Sequence, residues 1–155
     1  MVAIIVKVTN DIISLIMSDL IAPETSDCQG PLHPQAIHGM ELFNLGRYFE
    51  AHEALEAAWR AESGPVRDLY RGILQVGVVY LHITNNNYPG ALKVYQRSRK
   101  WLLAWPETCR GIAVGRLRRD METVMTALQK LGPEHIAEFD ASLLKPIHYS
   151  ISDDQ

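Results

Sequence analysis

The chain has 155 residues, of which 47% are hydrophobic and 21% charged, and its formal net charge is -3. This length and composition predict one globular domain with a hydrophobic core and leave little room for a second domain. The small net charge gives no whole-chain bias towards nucleic acid or membranes.

Residues 1–34 are predicted to be an N-terminal extension followed by a linker. The apolar start, "MVAIIVKVTNDIISLIMSDLIAP", is interrupted by charged residues and has neither a preceding basic region nor a cleavage site. We therefore interpret it as neither a signal peptide nor a membrane span. Met17 could instead begin the natural chain, and a short strand or helix lying on the domain is the other interpretation. Residues 22–34 contain three prolines and a glycine, which is typical of a linker.

Five helices are predicted within residues 35–132, and residues 133–155 are predicted to form a tail that packs on them. From Phe139 onward, Pro146 and weak periodicity favour extended packing over helix. The helix boundaries follow from apolar spacing and from glycine, proline and asparagine residues at the breaks. In chain order the helices are 35–46, 48–60, 66–84, one with Pro89 in its first turn that continues until Pro106, and 110–131.

An internal repeat relates the second and fourth predicted helices. "RYFEAHEAL" and "NYPGALKVY" lie forty residues apart and share a tyrosine, a small residue and a large residue at matching positions. This pattern is similar to that of tetratricopeptide repeats, in which small residues let two helices approach closely. Two copies are too few for an open solenoid. The sequence therefore predicts an all-α fold, a compact bundle of about five helices built from two tetratricopeptide-like hairpins and a C-terminal helix.

Polar residues on the second and third helices are predicted to meet. His52 lies on the apolar stripe of the second helix with Trp59, Glu56 flanks this stripe, and Glu53 lies near its boundary. The third helix is apolar nearly all round, apart from one polar stripe. Because a buried cation needs a partner, we expect a polar pocket between these two helices. Its predicted members are His52, Glu53, Glu56, Trp59, Arg71, Gln75 and His82.

These motifs resemble a small prokaryotic all-helical family, the domain of unknown function 309. The resemblance covers roughly Ile37 to Trp101. It depends on "LFNLG", on the HExxExxW pattern that begins at His52, on the arginine and glutamine of the third helix, and on the Gly-Ala pair that opens the fourth. One departure is "LQVG", which displaces Gly77 by one position from the Gln-Gly of the family. The resemblance implies a compact helical bundle and brings no established activity, so whether the protein is an enzyme stays open.

Three interpretations of the polar residues are compatible with the sequence. His52 and Glu56 could ligate one metal ion with Glu53 as a base, as in a metal-dependent hydrolase, although the second histidine of HExxH is missing. Alternatively, Arg71 and the histidine could bind a small polar or anionic molecule in a metal-free cleft. The third interpretation is a structural network in which the glutamates neutralise Arg71. We favour a binding or interaction domain without a bound metal or cofactor.

The segment from Lys93 to Arg119 has eight basic residues and one acid, and aromatic residues lie among them. This composition permits binding of nucleic acid or of an acidic protein partner. We disfavour nucleic acid, because Trp101 and Trp105 are expected to fill the core while the basic residues form a solvated face. A homodimer is compatible with the sequence, and membrane association is not expected.

The two cysteines, Cys28 and Cys109, are far apart and lack metal-type spacing. The chain is long enough to form a core without a disulfide, so a reducing cytoplasm is the simplest predicted location.

Overall fold

The structure is a computed structural model, and it describes residues 25–152. The alternative start at Met17 and the packing of the N-terminal extension lie outside the described residues. Within residues 25–152, five α-helices form the framework, with short 3₁₀ helices at Thr25–Cys28, Pro133–Glu138 and Ala141–Leu143. We number the α-helices α1 (Pro34–Asn44), α2 (Tyr48–Ala61), α3 (Arg67–Thr84), α4 (Tyr88–Leu103) and α5 (Val114–Leu131). The predicted compact all-α bundle is confirmed.

The two hairpins, α1–α2 and α3–α4, have the same connecting turn. Each turn has three residues, with a positive φ at the middle one: 76° at Gly46 and 57° at Asn86. In each turn the third residue donates its amide back across the turn, from Arg47 to the carbonyl of Leu42 at 2.9 Å and from Asn87 to that of His82 at 2.8 Å. These bonds satisfy carbonyls that a helix end leaves free. Identical turns forty residues apart give the sequence repeat a structural basis.

The core is built around α3, which packs against α2 on one side and α4 on the other. Nine of its residues are buried, among them Tyr70, Ile73 and Tyr80. Phe43, Tyr48 and Tyr80 form a cluster of aromatic rings, with Phe43 and Tyr48 centroids 5.2 Å apart. Such edge-to-face and tilted contacts bring helices α1, α2 and α3 together at one end of the bundle.

The segment that precedes α1 is joined to the connection between α4 and α5 by a disulfide between Cys28 and Cys109. This corrects the expectation that the chain would need no disulfide. Arg110 supports the same junction, since its side chain donates to the carbonyls of Asp27 and Pro31, each at 2.8 Å. A persistent disulfide is typical of oxidising compartments. The cytoplasmic location therefore stays a prediction, as does the domain division at residues 34 and 132.

The connection between α4 and α5 is longer than predicted, because α4 ends at Leu103 and α5 begins only at Val114. Positive φ values at Arg110 and Gly111 form a tight turn that brings Cys109 and Ile112 into a β-bridge. Helix periodicity does not reveal this turn. Arg118 ties the connection down by donating to the carbonyls of Leu102 at 2.9 Å and Trp105 at 2.7 Å, at the end of α4.

The C-terminal tail is anchored to α1 by Asn44. Its amide nitrogen donates to the carbonyl of Ile147 at 2.9 Å, and its amide oxygen accepts from the Ile147 backbone N–H at 2.7 Å. Ile147 is buried and Tyr149 forms a β-bridge with Ile112. Beyond Phe139 the tail has only a three-residue 3₁₀ turn and otherwise lacks helix up to residue 152. Packing of the whole segment 133–155 on the bundle stays a prediction.

Candidate functional site

Arg71 lies between two tryptophans from the neighbouring helices. Its guanidinium carbon is 4.3 Å from the ring centroid of Trp101 on α4 and 5.6 Å from that of Trp59 on α2. All three side chains are half-buried. A guanidinium over an indole face is a favourable cation–π arrangement, worth about 0.5–2 kcal/mol depending on exposure. The stacking therefore holds Arg71 at the surface where α2, α3 and α4 meet.

Two more cations lie against the same rings. The guanidinium carbon of Arg67, one turn before Arg71 on α3, is 4.9 Å from the Trp59 ring, and the Lys100 ammonium is 4.8 Å from the Trp101 ring. We call Trp59, Arg67, Arg71 and Trp101 the arginine–tryptophan cluster. Within residues 25–152, neither arginine of the cluster forms an ion pair with a carboxylate. The cluster therefore concentrates positive charge without an internal counter-charge.

Two polar atoms in or beside the cluster are buried and have no hydrogen-bond partner among residues 25–152. They are Nε of Arg67 and Oε1 of Gln75, and Gln75 lies one turn after Arg71 on α3. A buried polar group without a partner costs about 1–3 kcal/mol. Asp68 is half-buried three residues before Arg71, yet it forms no ion pair with Arg71 in the described structure.

His52 and Glu56 form a separate group on α2. Nε2 of His52 is 3.8 Å from Oε2 of Glu56, while Oε1 of Glu56 accepts a hydrogen bond from Arg60 at 2.6 Å. Their side chains are 33% and 31% exposed. His52 is therefore half-buried, whereas its position on the apolar stripe indicated burial in the core. Glu56 is thus neutralised on its own helix. The expected ion pair between Glu56 and Arg71 is absent from residues 25–152.

Glu53 and His82 lie away from the arginine–tryptophan cluster. Glu53 is exposed and lines a cleft of about 380 Å³ with Gln35, His38, Leu42, Arg47, Glu50 and Ala54, between α1 and α2. His82 is near the end of α3, where Nδ1 lies 3.1 Å from the side-chain nitrogen of Asn87. The structure therefore brings together Trp59, Arg71 and Gln75 of the predicted pocket, keeps His52 and Glu56 as a neighbouring pair, and separates Glu53 and His82. A shared functional site for all seven residues stays a prediction.

The metal hypothesis receives little geometric support from the described chain. Between residues 25 and 152, no group of three or more histidine, cysteine, aspartate or glutamate side chains is placed to hold a metal ion. Of the three proposed groups, His52 and Glu56 are adjacent, whereas Glu53 lines the cleft on the α1 side of α2. Two convergent groups are fewer than a protein metal site normally supplies.

The basic segment 93–119 divides into two parts with different surroundings. Arg110 and Arg118 donate hydrogen bonds to backbone carbonyls. Arg118 and Arg119 form ion pairs with Glu107, at 3.4 and 3.0 Å. The hydrogen bond from Arg119 is the main cause that lowers the pKa of Glu107 below its usual value. The cations on α4, in contrast, are exposed. Trp105 is buried as expected, but Trp101 is only partly buried.

Sequence reasoning missed Arg67, Trp101 and Lys100 as members of the cationic site. Arg67 lies one turn before Arg71, and this four-residue spacing on one helix is a usable signal. Trp101 was assigned to the core because tryptophan is usually buried. Its approach to Arg71 depends on the packing of α4 on α3, which the sequence of α4 alone does not reveal.

The described chain is thus an all-α bundle of packed helical hairpins with a cationic and aromatic surface cluster. Residues 36–94 match the family model described as Domain of unknown function (DUF309), which confirms the resemblance seen in the sequence. The match spans most of α1, all of α2 and α3, and the first part of α4. Trp59 and Arg71 lie inside this span, and Trp101 lies beyond it.

A relative from Aquifex aeolicus (strain VF5), described as an uncharacterized protein, is 25% identical over 84 residues. The match covers 54% of this chain and 25% of the relative, so the chain matches only about a quarter of that protein. Across residues 25–152, no helix is both long and apolar enough to cross a membrane.

Proposed function

We propose that this helical domain binds a small anionic ligand, such as a phosphate or carboxylate compound, at the arginine–tryptophan cluster. The observation that carries this proposal is the position of Arg67 and Arg71, two half-buried arginines one turn apart that form no ion pair with a carboxylate of the described chain. Arginine presents a planar set of donors that matches phosphate or carboxylate oxygens.

The surroundings of the two arginines support binding rather than a purely structural role. Stacking on Trp59 and Trp101 orients the Arg71 guanidinium, so less side-chain entropy is lost when a ligand binds. Nε of Arg67 is a buried donor that finds no acceptor among residues 25–152. An anion would balance the two positive charges and could accept the hydrogen bond that Nε of Arg67 offers.

The two tryptophans of the cluster provide the test. The full chain is titrated with inorganic phosphate, and separately with succinate, at constant ionic strength while tryptophan fluorescence is recorded. We expect a saturable change for at least one of the two anions, whereas chloride should give none. Arg71→Met should weaken binding by about 10-fold to 100-fold, the equivalent of one charge-assisted hydrogen bond of about 1.5–3 kcal/mol.

Arg116→Met is the matched control, because Arg116 is an exposed cation on α5 outside the cluster. Its affinity should stay within a factor of about two of the parent chain, since exposed charges at this distance are largely screened. Arg71→Lys should bind with intermediate affinity, because it keeps the charge and loses the planar donor set. Absence of saturable binding of either anion, or equal binding by Arg71→Met and the parent, would refute the proposal.

A further inference from the structure

Helix α4 is unusually basic for this chain. Its sixteen residues, YPGALKVYQRSRKWLL, include four cations and no acid, although the chain as a whole has a formal net charge of -3. The four cations, Lys93, Arg97, Arg99 and Lys100, are all exposed. Four cations without an acid on one helix create a local positive potential, which the negative net charge of the whole chain does not indicate.

Three of these cations form a row along the solvent side of α4. At 3.6 residues per turn, Lys93, Arg97 and Lys100 fall within an arc of about 60° and span about 10 Å of the helix axis. None of the three forms an ion pair within the described part of the chain. We call these three residues the α4 basic row. Arg99 faces elsewhere, since it stacks on Tyr95 and lines a narrow cleft with Glu122 of α5.

The row continues into an aromatic surface at the C-terminal end of α4. The Lys100 ammonium lies 4.8 Å from the centroid of the Trp101 ring, and Arg97 is one turn before Trp101 on the same side of the helix. Trp101 is half-buried, so part of its surface is open to solvent. A row of exposed cations thus ends beside a partly exposed indole, on which Arg71 also stacks.

We propose that the α4 basic row, together with Trp101, binds single-stranded nucleic acid. Cations in a line can follow a phosphate backbone, and an aromatic ring beside them can contact the face of any base. The row is one helix wide and about 10 Å long, which suits one strand better than the two backbones of a duplex. An acidic peptide would use the charges but would gain less from the aromatic ring. This inference rests on the cations of α4, and it shares Trp101 and the neighbouring Lys100 with the proposed anion site at Arg71.

The test is fluorescence anisotropy of a labelled twelve-nucleotide oligouridylate with the full chain at low and moderate salt. We expect Lys93→Gln, Arg97→Gln and Lys100→Gln in one triple variant to weaken binding by about tenfold or more and to flatten the salt dependence. With a slope of about -0.7 per neutralised phosphate, loss of three contacts should change the slope by about 2. Circular dichroism checks that the triple variant is folded. The single variant Arg97→Gln should bind the oligouridylate about threefold more weakly than the parent chain.

The matched control removes the same charge elsewhere, with Arg116→Gln, Lys130→Gln and Lys145→Gln at three exposed positions outside α4. The affinity of this control variant for the oligouridylate should fall by less than about threefold, because only cations that contact phosphates release counterions. Arg71→Met should keep most of its oligonucleotide affinity, because the three cations of the α4 basic row stay in place. Lys93→Gln together with Arg97→Gln, which leaves Lys100 at the Trp101 ring, should keep its response to the small anions and lose part of its oligonucleotide affinity. Three results would overturn the inference: no binding at low salt, equal loss in both triple variants, or tighter binding of duplex DNA or polyglutamate than of the oligouridylate.

Discussion

Tyr80 shows how a single buried hydroxyl can be unsatisfied in an otherwise well-packed core. The residue is fully buried, and its hydroxyl has no hydrogen-bond partner in the part of the chain that the structure describes. Oδ2 of Asp120 is likewise buried without a partner there. Burial, with smaller contributions from Asp120 and Tyr48, raises the pKa of the Tyr80 hydroxyl well above its ordinary value. The Tyr80 ring therefore stabilises the core by packing against Phe43 and Tyr48, whereas its hydroxyl adds no hydrogen bond within residues 25–152.

We predict that Tyr80→Phe leaves the free energy of unfolding at neutral pH unchanged or raises it by about 1 kcal/mol, because it removes an unpartnered polar group. Above about pH 10 the unfolded chain loses the Tyr80 proton while the folded chain keeps it, so stability falls as pH rises. The variant should show a smaller fall. Urea melts between pH 7 and 10.5 measure both effects.

Tyr70→Phe is the control for this prediction. The Tyr70 hydroxyl accepts a hydrogen bond from the His33 backbone at 2.9 Å, so its removal should cost about 1 kcal/mol. A loss of more than about 1 kcal/mol in Tyr80→Phe would show instead that its hydroxyl is hydrogen-bonded.

At the scale of the helices, two glycines on α3 have different roles. A Cβ at Gly72 would lie 2.8 Å from Cδ2 of Leu102 and 3.2 Å from Cβ of Trp101, so Gly72 permits the close approach of α4. A Cβ at Gly77 would meet the Phe43 ring at 3.5 Å, an ordinary contact distance. The glycine displaced from the family pattern therefore has room for a methyl group, whereas Gly72 does not.

We predict opposite effects of alanine at these two positions. Gly77→Ala should raise the free energy of unfolding by up to about 1 kcal/mol through helix propensity alone. Gly72→Ala gains the same propensity but overpacks against the buried Leu102, at a cost of about 1–3 kcal/mol, so it should be neutral to destabilising. Gly72→Ala should also alter the fluorescence of Trp101. Equal stabilisation by both substitutions would mean that α4 does not pack closely on α3 at Gly72.

At the scale of the whole molecule, the disulfide between Cys28 and Cys109 closes a long loop of the chain. The two cysteines are 81 residues apart, so the covalent loop contains all of α1, α2, α3 and α4. Cross-linking so long a loop lowers the entropy of the unfolded chain by an amount worth about 4 kcal/mol in the chain-entropy model. Arg110 adds hydrogen bonds at the same junction.

We predict that dithiothreitol, or Cys28→Ser together with Cys109→Ser, lowers the Tm by about 10 °C, because about 4 kcal/mol is lost in a chain of this size. Dithiothreitol should not change the Tm of the double serine variant further. Thiol titration of the denatured, unreduced parent should find no free thiol. Two free thiols per chain in that titration would contradict the disulfide.

The sequence by itself determined the features that depend on neighbours within about four residues. Helix periodicity, the turns at Gly46 and Asn86, and the break at Gly132 were all predictable, because caps and amphipathic faces are local. The His52–Glu56 contact was predictable for the same reason, since residues one turn apart meet on any helix.

Only the tertiary structure decided which polar side chains find one another across helices. Arg71 stacks on two tryptophans, and Glu56 is paired on its own helix; this choice depends on how α2 and α4 lie against α3. The disulfide and the Asn44–Ile147 anchor likewise join residues 81 and 103 positions apart. Such contacts form when the packing of the whole core brings distant segments within bonding distance. The periodicity of a single helix carries no information about those distances, because it reports which face is buried and not what covers it.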